Sequence, residues 1–321
     1  MPRLSPTSEK AIARLRVFGA PTTNYYAVPL SRRAAVLILL YADRRGDLRV
    51  VLTIRAKTLS SYAGHAAFPG GKADSLEETP FQTARREAAE EIGLPNIGEP
   101  LIPPFRVEHL CELPANLAKT ELVVRPCVAL LHSYDPLTGR DADPEVSLIP
   151  RLDAKEVAAV FTAPFHNFLL GKDEQPLGVG ENDDSQPQLQ SEPPPGVWYQ
   201  GSWTTWHETD WRMHHFYVPI SESSVTKPKT DRKTQTAAAD QLEQREISGE
   251  LTRYRVFGMT ARILVDAARV AYDEEPEFEH NSHFGDEDMI AKLLRLGRLK
   301  AERRPGDELT RETMQKAAKL S

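Results

Sequence analysis

The most reactive feature of this 321-residue chain is three carboxylates set close together on one helical stretch. Glu87, Glu90 and Glu91 lie within Arg86-Glu-Ala-Ala-Glu-Glu-Ile-Gly-Leu94. At about 100° per residue they fall within an arc of roughly 100°. Acids crowded in this way repel one another unless cations sit among them. Hard, part-hydrated oxygen sites of this kind suit magnesium, shared with the phosphates of a substrate. The loop Phe68-Pro-Gly-Gly-Lys72 precedes the acids. Its two glycines bring bare backbone toward the acidic face, where a carbonyl can complete a coordination shell. The plain alternative is a solvated helix face, which most acidic helix positions are. Arg86 before the acids, Gly93 after them and the fixed distance to the Gly-Gly-Lys loop argue for a site instead.

The elements that must position these acids are legible around them. Thr79-Pro-Phe-Gln82 reads as a helix start: Thr79 caps, Pro80 suits the first position and Gln82 closes a reciprocal capping box. Gly93 reads as the stop. Phe81, Ala84, Ala88 and Ile92 share a side that can bury against a sheet. Ala34–Tyr41 is a buried strand, the turn Asp43–Asp47 follows, and Leu48–Ile54 returns as its partner. Phe105–Leu113, Leu122–Leu131 and Val157–Phe161 are further strands, the last leading into a short helix near Pro164–Leu170. Trp198–Ile220 is aromatic and strand-like and carries all four tryptophans, Trp198, Trp203, Trp206 and Trp211. Ser8–Arg16 reads as a helix capped by Ser8, and Met259–Tyr272 as an amphipathic helix with Ile263, Ala267 and Val270 on one side. Met289–Lys300 has a helical pattern amid Lys and Arg, either docked on the domain or forming a homodimer contact. Interleaved strands and helices around one core make a mixed α/β fold. The expected division is a helical extension over 1–30, a catalytic domain over 31–280 and a helical tail over 281–321. Polar stretches at about 171–196 and 221–248 read as mobile insertions.

Bulk properties exclude other classes. A net charge of −6 and a pI near 5.9 argue against a nucleic-acid partner. Cys111 and Cys127 are too few and too far apart for a disulfide framework or a metal knuckle. The longest apolar run, Ala34–Tyr41, is far too short to span a bilayer, and Met1–Arg16 lacks the apolar stretch of a secretory signal. The expectation is a soluble intracellular protein with no membrane partner.

The stretch from Gly71 to Leu94 resembles the Nudix box: Gly, five residues, Glu, seven residues, Arg-Glu, an apolar residue, any residue, Glu-Glu, any residue, Gly, an apolar residue. With Arg86-Glu87 in register, Glu78 takes the first Glu and six residues, Lys72 to Glu77, separate it from Gly71. The extra residue lies in the loop, where it leaves the helical register intact. The resemblance implies an α-β-α sandwich with a mixed sheet, and Mg²⁺, or Mn²⁺, as cofactor. It makes Glu87 and Glu91 the main metal ligands, with Glu90 a further ligand or the residue that orients the attacking water. Gly71, or Gly70 beside it, supplies a backbone oxygen. Arg86 pairs with Glu78, or alternatively with Glu77, to brace the loop. Upstream, Leu52-Thr-Ile-Arg-Ala56 and Gly64-His-Ala-Ala-Phe-Pro-Gly-Gly71 are similar to the signature of the coenzyme A branch of Nudix hydrolases. That likeness implies cleavage of coenzyme A to 3′,5′-ADP and a 4′-phosphopantetheine compound, and its fungal members imply a peroxisomal location. Arg55, Lys57, Lys72 and Gly70 become the candidates for holding the substrate. Ser60 stands where the branch carries a second Arg. The rival readings are a pyrophosphatase for oxidised nucleoside triphosphates and a nucleotide-sensing module without catalysis, the latter disfavoured by the intact acids. His65 reads either as a substrate contact or as a turn residue without catalytic work. His214 and His215, neighbours in a strand, point to opposite faces and read as structural.

Overall fold

The computed structural model describes residues 4–19, 21–55, 66–135, 137–148, 157–172, 197–206, 209–220, 225–226, 252–302 and 309–320. The first helix, α1 (Pro6–Val17), starts three residues earlier than expected. Ser5, in extended conformation, is its cap and accepts from the Ser8 amide, so Ser8 is a buried first-turn residue and not the cap. The shift follows from Pro6, whose fixed φ and missing N–H suit the first helical position.

The chain then builds β1 (Arg33–Ala42), β2 (Leu48–Arg55), β3 (Ala66–Ala67), β4 (Gly70–Lys72), α2 (Pro80–Ile92), β5 (Arg106–Glu112), β6 (Asn116–Leu117) and β7 (Val123–His132). After a short helix, α3 (Pro144–Ser147), comes β8 (Val157–Pro164). The short helix expected after this strand is a 3-10 turn, His166–Leu169. The aromatic stretch forms β9 (Tyr199–Trp206) and β10 (Thr209–Pro219), and β11 (Val225–Thr226) and β12 (Arg253–Phe257) follow. Helices α4 (Gly258–Tyr272), α5 (Glu287–Arg295) and α6 (Arg311–Ala318) close the described chain. The expected insertions lie outside the described residues except for 171–172 and the two residues of β11, which pair with β8.

The large sheet is mixed, in the order β11-β8-β2-β1-β7-β5. β1 and β7 are parallel and the other neighbours in that order are antiparallel. One edge of β1 takes β7 along its length. The other takes β4 near its start, from Ala34↔Lys72 to Val36↔Gly70, and β2 near its end. The central strand is buried on both faces, which is why its sequence is a continuous apolar run. Ala35, Leu37, Leu39 and Tyr41 meet Ala84, Ala88 and Ile92 of α2 on one face. Ile38 and Leu40 meet α1 and α4 on the other. The result is an α-β-α sandwich.

A second, three-stranded sheet, β12-β10-β9, packs its Phe216, Val218, Tyr254 and Val256 into the same core as α4. Its inner face carries a buried polar line. His214 is hydrogen-bonded to the Tyr199 hydroxyl at 3.0 Å and to His280 at 2.8 Å, and His280 to Asp266 at 2.9 Å. Of the tryptophans, Trp198 is buried against Phe168 and Phe216, Trp211 is buried and Trp203 is exposed. The tail helices dock on the domain: Ile290, Leu293, Met314 and Ala317 pack with Tyr25, Val28, Leu117 and Val123. Glu287 accepts from the amides of Asn24 and Ala115 and from Arg125, while Asp286 accepts from the Leu117 amide and Arg262. Among the described residues no helix is long and apolar enough to cross a membrane.

Candidate active site

The helix that bears the acids is built as its sequence dictates. Thr79 and Gln82 form the reciprocal capping box, Pro80 opens α2, and Gly93 ends it at φ +68°. Ala84, Ala88 and Ile92 are fully buried, whereas Phe81 is only half-buried and stacks flat on His109 of β5 at 4.0 Å. This packing fixes the rotation of α2 and turns Glu87 and Glu91 toward the glycine loop.

That loop lies against β1 because its residues lack side chains. A Cβ on Gly70, at φ +153°, would stand 2.7 Å from the Val36 Cα and nearer still to the Ala35 carbonyl. A Cβ on Gly71 would stand 2.6 Å from Glu87 Oε1 and nearer to the rest of that carboxylate. The bare backbone at 70–71 is therefore what lets the acids of α2 approach the sheet edge. The Gly70 amide donates to Glu91 Oε2 at 3.0 Å. Arg55, at the end of β2, places Nη1 4.0 Å from Glu91 Oε1, and its buried Nε has no hydrogen-bond partner among the described residues. Glu91 thus sits between the two segments that the sequence singled out separately.

Arg86 organises the other side. Its Nε meets Glu78 Oε1 at 2.8 Å, its Nη2 donates to the Lys72 carbonyl at 2.8 Å, and its Nη1 reaches Glu87 at 3.0 Å and Glu90 at 3.4 Å. Glu78, not Glu77, is the bracing partner. It also accepts from the Asp74 amide and the Thr83 hydroxyl. Asp74, 3.3 Å from Arg86, and Thr83 are participants that local sequence reasoning missed. Their part depends on how the loop folds back, which no short pattern encodes. Lys72 has an exposed side chain and contributes its carbonyl to Arg86. Lys57, Ser60 and His65 lie outside the described residues. His214 and His215 belong to the second sheet.

The electrostatics follow from this crowding. Burial raises the Glu87 pKa above its ordinary value, Arg86 opposes the rise, and the charges of Glu90 and Asp74 add to it. Burial alone would also raise Glu78, but Arg86 together with the Asp74 amide and Thr83 holds it below the usual range. Asp74, Glu78, Glu87, Glu90 and Glu91 face two guanidinium groups, Arg86 and Arg55. The uncompensated negative charge is what a divalent cation would neutralise, and hard oxygens are the donors it prefers. Glu87, Glu90, Glu91 and the carbonyl of Gly71 or Gly70 are the groups that could hold it. As they stand, Glu87 is engaged by Arg86 and Glu91 by the Gly70 amide. Among the described residues no three acidic, His or Cys side chains already converge on one point.

Comparison with known proteins agrees with this arrangement. The Nudix domain pattern matches residues 31–174. A peroxisomal coenzyme A diphosphatase of Saccharomyces cerevisiae is 30% identical over 298 residues, 89% of this chain and 82% of the relative. Two Arabidopsis thaliana proteins, the mitochondrial Nudix hydrolase 15 and the chloroplastic Nudix hydrolase 22, are 30% and 32% identical, each over 77% of this chain. The chain spans 61% and 58% of the length of those two plant relatives. With its box helix, its glycine loop and a match along most of its length, the chain belongs to the Nudix family of pyrophosphohydrolases.

Proposed function

We propose that this chain hydrolyses the diphosphate of coenzyme A or its derivatives, releasing 3′,5′-ADP and a 4′-phosphopantetheine compound, with Mg²⁺ or Mn²⁺ as cofactor. The observation that carries the reading is the meeting of Arg55 and Gly70 at Glu91. Residues of the coenzyme A signature and of the box helix thereby address one point. The yeast relative, whose name carries the same activity and the peroxisome, supports both the substrate and a peroxisomal location.

In this reading Glu87, Glu90 and Glu91 with the Gly71 carbonyl would hold the cation, which would neutralise charge on the diphosphate oxygens. Arg55, with the exposed Lys72 and with Lys57, grips the phosphates. Glu90, the most exposed of the three acids with a side chain 52% accessible, orients the attacking water and takes its proton in this reading. Oxygen from that water bonds to one phosphorus, the bridging P–O bond breaks, and the other phosphate leaves with the electron pair. Arg86 keeps Glu87 and the loop in place throughout.

Incubation of the purified protein with magnesium and, separately, coenzyme A, NADH, ADP-ribose and 8-oxo-dGTP tests the proposal. The expected result is 3′,5′-ADP from coenzyme A with the highest kcat/KM of the four. Preference for the oxidised triphosphate would replace the substrate, and no turnover of any of them at high enzyme would sink the mechanism. Glu91→Gln should abolish turnover while the protein stays folded.

A further inference from the structure

The small sheet has an outward face that the reaction as described does not use. Register places Phe216, Val218, Tyr254 and Val256 on one side of β10 and β12, in the core shared with α4. His215, Tyr217, Arg255 and Phe257 are therefore on the other side. In the large sheet the same core takes Leu52 and Ile54 of β2 and Ala66 of β3. Arg55, reaching Glu91, marks the opposite side. The two sheets are joined where β12 runs beside β3, and the Thr260 hydroxyl donates to the Ala66 carbonyl at 3.3 Å. Ala66 of β3 and Val256 of β12 enter that core from neighbouring strands, so the opposite faces of these two strands lie on one side. The outward face of the small sheet thus extends the surface that carries Arg55. β3 pairs with β2 and β12 lies against β3, so a single strand separates β12 from the strand that bears Arg55.

This face is chemically suited to such an occupant. The Arg255 guanidinium lies 4.4 Å from the centroid of the Phe257 ring, and the His215 ring stacks on Phe257 at 5.7 Å and 12°. Arg255 is exposed, and its partners among the described residues are the Phe257 ring and Tyr217, neither of which is anionic. His215 Nδ1 is buried and meets no hydrogen-bond partner among the described residues. Burial, and then the charge of Arg255, push the His215 pKa down to about 4, so the ring is neutral near pH 7. Beneath it, the His214–His280–Asp266 line fixes β10 from the inner side. A flat aromatic stack beside a guanidinium that meets no acid among the described residues is a surface for a base and a phosphate.

We infer that Arg255, Phe257 and His215 form a second anchoring site, which takes the phosphorylated nucleoside end of the substrate. Arg255 meets the phosphate monoester that coenzyme A carries outside its diphosphate, and the Phe257–His215 stack adjoins the base. The inference rests on the coenzyme A reading above, yet it can be tested apart from it.

Calorimetric titration with 3′,5′-ADP and with 5′-AMP reads the site without turnover. The wild-type protein should bind 3′,5′-ADP about tenfold more tightly than 5′-AMP, the size of one charge-assisted contact. Arg255→Ala should bring that ratio close to one and Arg255→Lys should restore part of it, with unchanged melting temperatures. In steady state the same change should appear as a fall in kcat/KM for coenzyme A relative to dephospho-coenzyme A, carried by KM. An Arg255→Ala protein that keeps the wild-type binding ratio overturns the site. Turnover of coenzyme A and dephospho-coenzyme A at equal kcat/KM by the wild type also overturns it, while leaving the proposed reaction standing. Discrimination between the two nucleotides without any turnover of coenzyme A would uphold the site and sink the proposed reaction.

Discussion

Replacing Gly71 with alanine separates the chemistry of the site from the stability of the fold. The added methyl would sit 2.6 Å from Glu87 Oε1 and nearer to the rest of that carboxylate, and ordinary van der Waals contact begins at 3.4 Å, so the carboxylate must retreat by about 1 Å. The obstacle is the far end of a flexible side chain, not backbone. Gly71, unlike Gly70, does not hold a φ that alanine avoids. Relief is therefore cheap. Loss of glycine's freedom in the unfolded chain stabilises by about 0.4–1 kcal/mol, and the weakened Arg86–Glu87 contact offsets a similar amount. The melting temperature should stay within about 4 °C of wild type. Activity should not survive so well, because a displacement near 1 Å at a reacting centre costs on the order of a hundredfold. Release of 3′,5′-ADP from coenzyme A at saturating magnesium, followed beside a thermal melt, measures both quantities. A Gly71→Ala enzyme within threefold of wild-type kcat would refute the reasoning, since the position of Glu87 would then be immaterial. Gly70→Ala is the contrast: its methyl meets the backbone of the central strand, and the protein should fail to fold.

Other substitutions probe the surroundings. Arg86→Lys keeps one charge but loses the fork that serves Glu78, Glu87 and the Lys72 carbonyl. It should cost about 2 kcal/mol in denaturant melts and lower kcat by tenfold or more. Glu108 accepts both 2.8 Å bonds from Arg16 and also meets His132, and the Arg16 bond foremost lowers its pKa from 4.5 to about 2. A carboxylate depressed on folding stabilises fully above its unfolded pKa and loses that contribution as pH falls through the folded value. Glu108→Gln should therefore lower stability by about 1–2 kcal/mol at pH 7, discounted for the exposed Arg16. The difference from wild type should shrink between pH 4.5 and pH 2, and a gap that stays constant with pH would rule the linkage out. Glu287→Ala leaves the buried Arg125 with Glu112 alone and strips two amides of their acceptor. A loss of about 3–5 kcal/mol is expected, with α5 and α6 becoming accessible to limited proteolysis.

Much of the acid-bearing helix could be read from the sequence because its determinants are local. Thr79, Gln82 and Gly93 act within a few residues of themselves, and the apolar side of α2 follows from helical period alone. The pairing of Arg86 with Glu78 was equally legible once the extra loop residue was assigned to the loop. Determinants that act across the chain were not legible. The order of strands in the sheet, with β8 beside β2, depends on pairings a hundred residues apart. That Trp198–Ile220 contributes to a separate sheet depends on β12, which lies beyond a long polar stretch. The Ser8 cap was misread because Ser5 and Ser8 both precede an apolar pattern, and Pro6 decides between them only through backbone geometry. Helix α6 escaped notice because its buried residues, Met314 and Ala317, are few and acquire meaning only against Leu117 and Val123.

The shared core of the two sheets has a consequence for synthesis on the ribosome. Ile38, Leu40, Val50 and Leu52 are made early, yet α4, which covers them together with α1, ends at Tyr272. Some hundred residues separate the end of β8 from that point. At about 5–20 residues per second, the far face of the large sheet has α1 but lacks α4 for roughly 5–20 s, while α2 already shields the near one. The nascent chain therefore passes through a half-closed stage with an aliphatic sheet open to its surroundings. A shorter chain ending near residue 174, where the family pattern ends, would remain at that stage. Holding chaperones would be drawn to that one side, and the full-length chain would outgrow the need for them once α4 emerged.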